Sequence, residues 1–178
     1  AIKGRRTIQY LKQAEESQWW EPSQLLSKQL EDLRSIVAYA FQHCAYYRRL
    51  WNENGLNPDT LQSIEEFGRY PVLSRDDVRN NRSELRSSVV SNRLTKSTGG
   101  STGEPLVFEL CQESNQRRTA MMFRGYDWAK AGLGTRRLLI WGVDLKKRSL
   151  LRRWKVALHH RFDNEMVINC FDLSPSTM

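Results

Sequence analysis

The stretch of sequence that decides the fold is Ser97-Thr98-Gly99-Gly100-Ser101-Thr102-Gly103-Glu104-Pro105. Every residue in it except Glu104 is Ser, Thr, Gly or Pro. The closely spaced glycines let the backbone approach a ligand and turn its N–H groups inward, which favours an anion. The hydroxyls of Ser101 and Thr102 add donors for phosphate oxygens. From these residues alone, a phosphate-binding loop and an ordinary flexible loop are equally supported.

The segments around this loop alternate between strand and helix patterns. Short apolar runs predict strands, and the longer segments between them have helical spacing. The predicted strands cover residues 93–97, 106–110, 137–142 and 166–171, and the predicted helices cover residues 113–131 and 146–161. This order predicts an α/β layered domain with a right-handed crossover. Residues 89–178 are therefore predicted to be the first part of an α/β domain that carries the loop.

The sequence before residue 89 has the spacing of helices. Apolar residues recur at three- and four-residue steps from Leu25 to Cys44, after Pro22 at a favourable first-turn position. Gly55 predicts a helix end, and Ser74 predicts a helix start. Residues 1–88 are therefore predicted to form an N-terminal helical region.

Composition limits the classes of protein that this chain can represent. Of the 178 residues, 39% are hydrophobic and 27% are charged, which is typical of a globular protein and not of a disordered one. The three cysteines, Cys44, Cys111 and Cys170, are far apart and form no CxxC pair. Such spacing indicates reduced thiols in a cytoplasmic protein and provides no metal site. The net charge of +8 is consistent with a basic surface or with an anionic partner.

The loop and the sequence before it resemble a known family. Residues 98–106 are similar to the signature loop of the adenylate-forming superfamily, [ST]-[SG]-G-[ST]-T-G-x-P. The doubled glycine followed by Leu-Val-Phe resembles the phenylacetate–CoA ligase branch, and within it the capsular polysaccharide biosynthesis members. The lead-in of that branch is matched by residues 45–51, 55–56 and 71–79, and residues 124–132 and 139–142 fit the segment after the loop.

The resemblance implies an ATP-dependent, AMP-forming carboxylate–CoA ligase. In that reaction a carboxylate attacks the α-phosphate of ATP, and coenzyme A then accepts the acyl group. The implied nucleotide-binding residues are Thr98, Gly99, Gly100, Ser101, Thr102 and Gly103. Mg²⁺ would accompany the nucleotide, and neither its carboxylate ligand nor a catalytic residue is identified in this chain.

Two features separate this sequence from many members of the family. Many family members carry lysines at the positions of Glu104 and Leu106. This chain therefore lacks a positive charge that would contact phosphate there. The later motifs of the family, including a catalytic lysine, do not occur in residues 1–178. The chain is therefore expected to be an N-terminal fragment that does not catalyse adenylation alone.

Trp141 and Gly142 are candidate walls of a substrate pocket. They follow a predicted buried strand, and ligands of α/β sheets bind beyond the carboxyl ends of strands. A packed core tryptophan is the competing interpretation, and the sequence favours it.

A basic stretch covers residues 146–161. It contains seven Lys or Arg residues and no acid, and Leu150, Leu151, Trp154 and Leu158 form an apolar stripe through it. A solvated helix that packs its stripe on another part of the protein is one interpretation. An anionic membrane surface, with peripheral membrane localisation, is the second. Nucleic acid is the third and the least favoured, because no recognition-helix pattern accompanies the charge. A non-catalytic basic binding module is thus the alternative to a ligase.

Overall fold

The computed structural model describes residues 5–98, 105–142, 150–162 and 164–170, without the side chains of Arg5, Trp141, Leu150, Arg152, Arg153 and His159. Its contacts divide the chain into two compact units. One unit contains residues 17–115, and the other contains residues 1–16 and 116–178. The sequence instead predicts a domain division at residues 88 and 89, which stays a prediction. Each unit is described by itself.

The unit of residues 17–115 begins with helices. The helix α1, Arg5–Ser17, belongs mainly to the other unit, and α2, Pro22–His43, and α3, Ala45–Glu53, follow it. The side chain of Gln24 accepts a hydrogen bond from the Glu21 N–H at 3.2 Å and so caps the start of α2. Gly55, with a φ of 66°, ends the turn after α3. These observations confirm the predicted helix start at Pro22 and the predicted stop at Gly55.

Short elements connect α3 to the first strand. Glu65–Arg69 is a 3-10 helix, and α4 is Arg75–Asn80. The Ser74 hydroxyl accepts a hydrogen bond from the Asp77 N–H at 3.1 Å, and the Asp77 carboxylate accepts one from the Ser74 N–H at 2.9 Å. This reciprocal pair confirms Ser74 as the predicted helix cap.

The core of this unit is built around Trp51. Buried Val37, Leu56, Leu61 and Tyr70 form one cluster with Trp51. The ring of Trp51 meets the ring of Tyr70 edge-on, with 5.1 Å between their centroids. The guanidinium of Arg34 donates to the Leu61 and Gln62 carbonyl oxygens at 2.9 and 2.8 Å, so α2 also holds the backbone of the following segment.

Not every apolar residue of α2 is buried. Leu26 and Ile36 are 56% and 58% exposed, although they belong to the apolar residues that recur at helical spacing. Val37, from the same set, lies in the core. The apolar stripe of α2 is therefore wider than the face that this unit covers.

A β-hairpin completes this unit. Strands β1, Arg93–Ser97, and β2, Val107–Cys111, pair antiparallel with Ser97 opposite Val107. The strands confirm the sequence prediction on both sides of the loop. The helix α5, Gln112–Trp128, follows β2 directly and crosses the division between the two units.

The unit of residues 1–16 and 116–178 contains a parallel strand pair. Strands β3, Arg137–Trp141, and β4, Glu165–Asn169, pair in parallel, and α6, Leu150–Phe162, lies between them in sequence. The order from β2 through α5, β3 and α6 to β4 confirms the predicted alternation and the α/β class. Residues 146–149 and 171, which the predicted elements also included, lie outside the described residues.

The bounds of α1 were not predicted from sequence, although the helix lies within residues 1–88, which were predicted to be helical. Its buried residues are Thr7, Leu11 and Ala14, which recur at helical spacing, but only one of them is large and apolar. The guanidinium of Arg117 lies 4.3 Å from the Tyr10 ring centroid and connects α1 with α5. A buried face of small or polar residues has too weak a periodic signal to be recognised.

The first prediction concerns the core. Replacing Trp51 by Ala should lower the free energy of unfolding by about 3–5 kcal/mol, because the large buried ring leaves a cavity. Urea-induced unfolding followed by circular dichroism measures this change. Trp19→Ala is the matched control because Trp19 is 82% exposed, and its effect should be small. Equal destabilisation by the two substitutions would contradict the assignment of Trp51 to the core.

Candidate phosphate-binding site

The predicted phosphate loop lies at the tip of the β-hairpin. Residues 99–104 are outside the described residues, whereas Thr98 and Pro105 to Leu106 are described. The Thr98 N–H donates to the Leu106 carbonyl oxygen at 3.0 Å, and the Leu106 N–H donates to the Thr98 hydroxyl oxygen at 3.0 Å. The loop therefore begins and ends at adjacent positions that two hydrogen bonds hold together.

Thr98 has a structural role at the base of this loop. Its hydroxyl oxygen accepts the Leu106 N–H, so it satisfies a backbone donor that the strand ladder leaves beyond Val107. Among the described residues, no acceptor receives the hydroxyl hydrogen of Thr98. A hydroxyl can accept and donate at once, so this arrangement leaves a donor for a ligand oxygen. The nucleotide contacts of Thr98, Gly99, Gly100, Ser101, Thr102 and Gly103 stay predictions.

The strand that leaves the loop is held by a carboxylate. The Arg86 guanidinium donates two hydrogen bonds to Glu109, from Nε to Oε2 at 3.0 Å and from Nη2 to Oε1 at 2.6 Å. Arg82 Nη2 lies 3.5 Å from Glu109 Oε1, and Arg93 Nε lies 3.7 Å from Glu109 Oε2. These contacts fix β2 to the segment that precedes β1.

The arginines also change the acidity of Glu109. The hydrogen bonds from Arg86 are the largest cause that lowers the pKa of Glu109, and the charges of Arg86, Arg82 and Arg93 lower it further. Partial burial opposes this effect. The carboxylate is only 15% exposed, so water screens these interactions less than at an open surface.

Trp141 and Gly142 lie at the carboxyl end of β3. The backbone of Trp141 pairs with Asn169 of β4, and Gly142 is exposed directly after the strand. The structure does not describe the side chain of Trp141. The two predicted alternatives for it, a pocket wall and a core position, therefore stay open. The loop and these two residues belong to different compact units, and their roles in substrate binding stay predictions.

The sequence prediction missed a polar cluster in the second unit. Arg137 Nη2 lies 2.6 Å from Glu165 Oε1, and His160 Nδ1 lies 3.1 Å from Glu165 Oε2. The Arg137 guanidinium also lies 5.2 and 5.1 Å from the ring centroids of Phe123 and Tyr126. This cluster joins α5, α6, β3 and β4 across long sequence separations, so no local pattern could reveal it. The arginines around Glu109 were missed for the same reason.

Within the described residues, no group of three or more His, Cys, Asp or Glu side chains is arranged to hold a metal ion. No helix in the described ranges is both long enough and apolar enough to span a bilayer.

The fold is similar to that of acyl-CoA ligases. A structure of 2-hydroxyisobutyryl-CoA ligase in complex with 2-HIB-AMP and CoA aligns with a TM-score of 0.52 at 21% identity, over 87% of this chain and 33% of that chain. A postadenylation-state structure of this enzyme with R3-HIB-AMP aligns with a TM-score of 0.54 at 20% identity, over 83% of this chain and 31% of that chain. This likeness shows an α/β fold like that of the corresponding third of 2-hydroxyisobutyryl-CoA ligase.

The sequence is similar to one kind of ligase. The chain is 28% identical over 86 residues to phenylacetate-coenzyme A ligase of Aromatoleum evansii, covering 47% of this chain and 20% of that protein. It is 29% identical over 85 residues to phenylacetate-coenzyme A ligase of Thermus thermophilus, covering 47% and 19%. No family model matches the chain. The chain is thus similar in sequence to phenylacetate-coenzyme A ligases over about half of its length, and similar in fold to part of 2-hydroxyisobutyryl-CoA ligase.

The matched region is a small part of these proteins. The aligned residues span about a fifth of the curated relatives and about a third of the solved ligase structures. The name of each relative therefore describes that relative alone, and ligase activity is only a proposal for the protein to which this chain belongs.

The second prediction concerns Glu109. Its pKa is lowered on folding, so the ionised carboxylate stabilises the fold above its unfolded pKa of about 4.3, and this stabilisation is lost as pH falls through the folded pKa. Glu109→Gln should make the free energy of unfolding depend less steeply on pH below about pH 5. Urea unfolding measured across this range tests the effect, and Glu31→Gln at an exposed position is the control. An unchanged pH slope in Glu109→Gln would contradict the role of the arginine contacts.

Proposed function

We propose that this chain supplies the phosphate-binding loop of an ATP-dependent, AMP-forming carboxylate–CoA ligase. The observation that carries the proposal is the closed loop at the hairpin tip, whose ends are joined through Thr98 and Leu106. Its sequence resembles the signature loop of adenylate-forming enzymes. The likeness to phenylacetate-coenzyme A ligases and to the fold of 2-hydroxyisobutyryl-CoA ligase supports the same class.

The proposed role of the loop is to hold the β- and γ-phosphates of ATP. Backbone N–H groups from Gly100 to Gly103, with the hydroxyls of Ser101 and Thr102, would donate to phosphate oxygens as charge develops on the leaving pyrophosphate. Thr98 and Leu106 would set the width of the loop. Transition-state stabilisation requires donors at fixed positions, and the paired strands β1 and β2 hold the two ends of the loop together.

The substrates of the proposed ligase are ATP, a carboxylate and coenzyme A. Mg²⁺ would accompany the nucleotide and neutralise phosphate charge. Trp141 and Gly142 are proposed to border the carboxylate pocket. The resemblance to the capsular branch supports a role in polysaccharide biosynthesis and a cytoplasmic location, where ATP and coenzyme A are available.

A second candidate function rests on α6. Leu151, Trp154 and Phe162 recur on one face of this helix and are 79%, 74% and 72% exposed, with Leu158 at 43%. Exposed Lys155 and Arg161 lie on the same helix, and residues 146–153 add five further positive charges to the sequence. A basic helix with an exposed apolar stripe suits the surface of an anionic membrane. A non-catalytic membrane-surface module is therefore the second candidate.

The third prediction tests the loop in a protein extended through the later family motifs. Thr102→Ala should slow pyrophosphate–ATP exchange by about 10- to 100-fold, because one hydrogen bond to a charged phosphate contributes about 1.5–3 kcal/mol. Ser97→Ala is the matched control, since Ser97 lies in β1 outside the predicted contact set. Residues 1–178 alone should give no exchange. Unchanged exchange in Thr102→Ala, or acyl-AMP made by the chain alone, would refute the proposal.

The fourth prediction tests α6 by co-sedimentation with lipid vesicles. The chain should bind vesicles that contain phosphatidylserine, release them as salt rises, and ignore vesicles of phosphatidylcholine. Trp154→Glu should weaken this binding, whereas Trp19→Glu, at an equally exposed tryptophan outside α6, should not. Retained binding in Trp154→Glu would reject the membrane role. Salt-sensitive binding to RNA without vesicle binding would favour nucleic acid instead.

A further inference from the structure

A cavity of about 370 Å³ lies beside the hairpin in the unit of residues 17–115. Its volume falls within the range of about 300–1,000 Å³ that is typical of small-molecule sites. Most of its lining is apolar, and the aliphatic residues in it include Leu73, Val78, Leu85, Val90 and Leu110. An apolar body of a small ligand therefore fits this cavity better than a polar one does.

The charge of the lining is unbalanced. Arg82, Arg86 and Arg93 all line the cavity, and Glu109 is the sole acid among the lining residues that the structure describes. One carboxylate faces three guanidinium groups, so two positive charges are in excess. The hydroxyls of Tyr39 and Ser87, 2.6 Å apart, also lie in the lining and add polar hydrogens.

The arginines differ in how fully their donors are used. Arg86 donates two hydrogen bonds to Glu109, and Arg93 Nη2 donates to the Ser87 carbonyl oxygen at 2.8 Å. Arg82 approaches Glu109 no closer than 3.5 Å and makes no hydrogen bond within the described ranges. Its planar guanidinium therefore keeps a pair of donors that matches the two oxygens of a carboxylate.

We propose that this cavity binds an amphipathic monocarboxylate, with its apolar chain among the leucines and valines and its carboxylate on Arg82. The site is separate from the loop at the hairpin tip, and it does not depend on nucleotide. Val107 and Glu109 of β2 line the cavity, so an occupant contacts the strand that leaves the loop. Binding would therefore stabilise the hairpin in the conformation that presents the loop.

The fifth prediction uses octanoate as the probe and isothermal titration calorimetry without nucleotide. Octanoate should bind saturably, and 1-octanol, which has the same chain without charge, should bind about tenfold more weakly. Arg82→Gln should weaken octanoate binding by about tenfold and leave 1-octanol binding unchanged. Arg75→Gln, at an exposed arginine of α4 outside the cavity, is the matched control.

A thiol measurement on the unaltered protein tests the location independently of any variant. Cys111 lines the cavity, and Cys170 is exposed outside it. Octanoate should slow alkylation of Cys111 by iodoacetamide and leave the rate at Cys170 unchanged. Equal affinity for octanoate and 1-octanol, unchanged affinity in Arg82→Gln, or no protection of Cys111 would each overturn the proposal. Because no ATP is present, these outcomes are distinguishable from failure of the loop.

Discussion

The carboxylate of Glu109 holds the hairpin to the segment that precedes it. Its two hydrogen bonds from Arg86, with Arg82 and Arg93 close by, connect β2 to a stretch of short turns that has little regular structure of its own. A two-stranded hairpin in water is marginal without such support. The position of the two ends of the loop therefore depends on the contacts between Glu109 and the arginines, as well as on the backbone hydrogen bonds between β1 and β2.

The same contacts link stability to electrostatics in this unit. The aromatic cluster around Trp51 stabilises the helices by burial, which is not sensitive to pH or salt in the way that ion pairs are. The hairpin is stabilised by the ion pairs of Glu109 as well. Protonation of Glu109 therefore weakens the attachment of the hairpin, whereas the burial of the Trp51 cluster involves no carboxylate.

Local signals in the sequence predicted the elements well. Pro22, Gly55 and Ser74 act through hydrogen bonds or backbone angles within a few residues, so their effects are visible in the sequence. Contacts between residues far apart in the sequence leave no such local signal. The pairing of Arg137 with Glu165, and of Arg86 with Glu109, depends on how strands and helices meet. Periodicity also could not show which part of the wide apolar stripe of α2 is covered, and it missed α1, whose buried face contains Thr7 and Ala14.

The candidate site stays a prediction, although its place in the fold agrees with the sequence analysis. Composition supported an anion-binding loop and an ordinary flexible loop equally, and the resemblance to adenylate-forming enzymes favoured the first. The strands on both sides of the loop were predicted correctly. The dual use of Thr98, as a loop residue and as the acceptor for Leu106, could not be inferred because it depends on strand register. The cavity beside β2 could not be inferred either, since its lining comes from segments that are far apart in sequence.

The parallel pair of β3 and β4 has a consequence for how this sheet can grow. Leu138 and Ile140 of β3 and Met166 of β4 are 56%, 56% and 63% exposed, on a type of sheet that normally has both faces covered. In the described part of the chain each of these strands pairs on one side, so the backbone N–H and C=O groups of the other side form an edge. The described strand pair thus presents two kinds of incomplete surface: backbone edges that a neighbouring strand can satisfy, and apolar side chains that a layer packed on the sheet can bury.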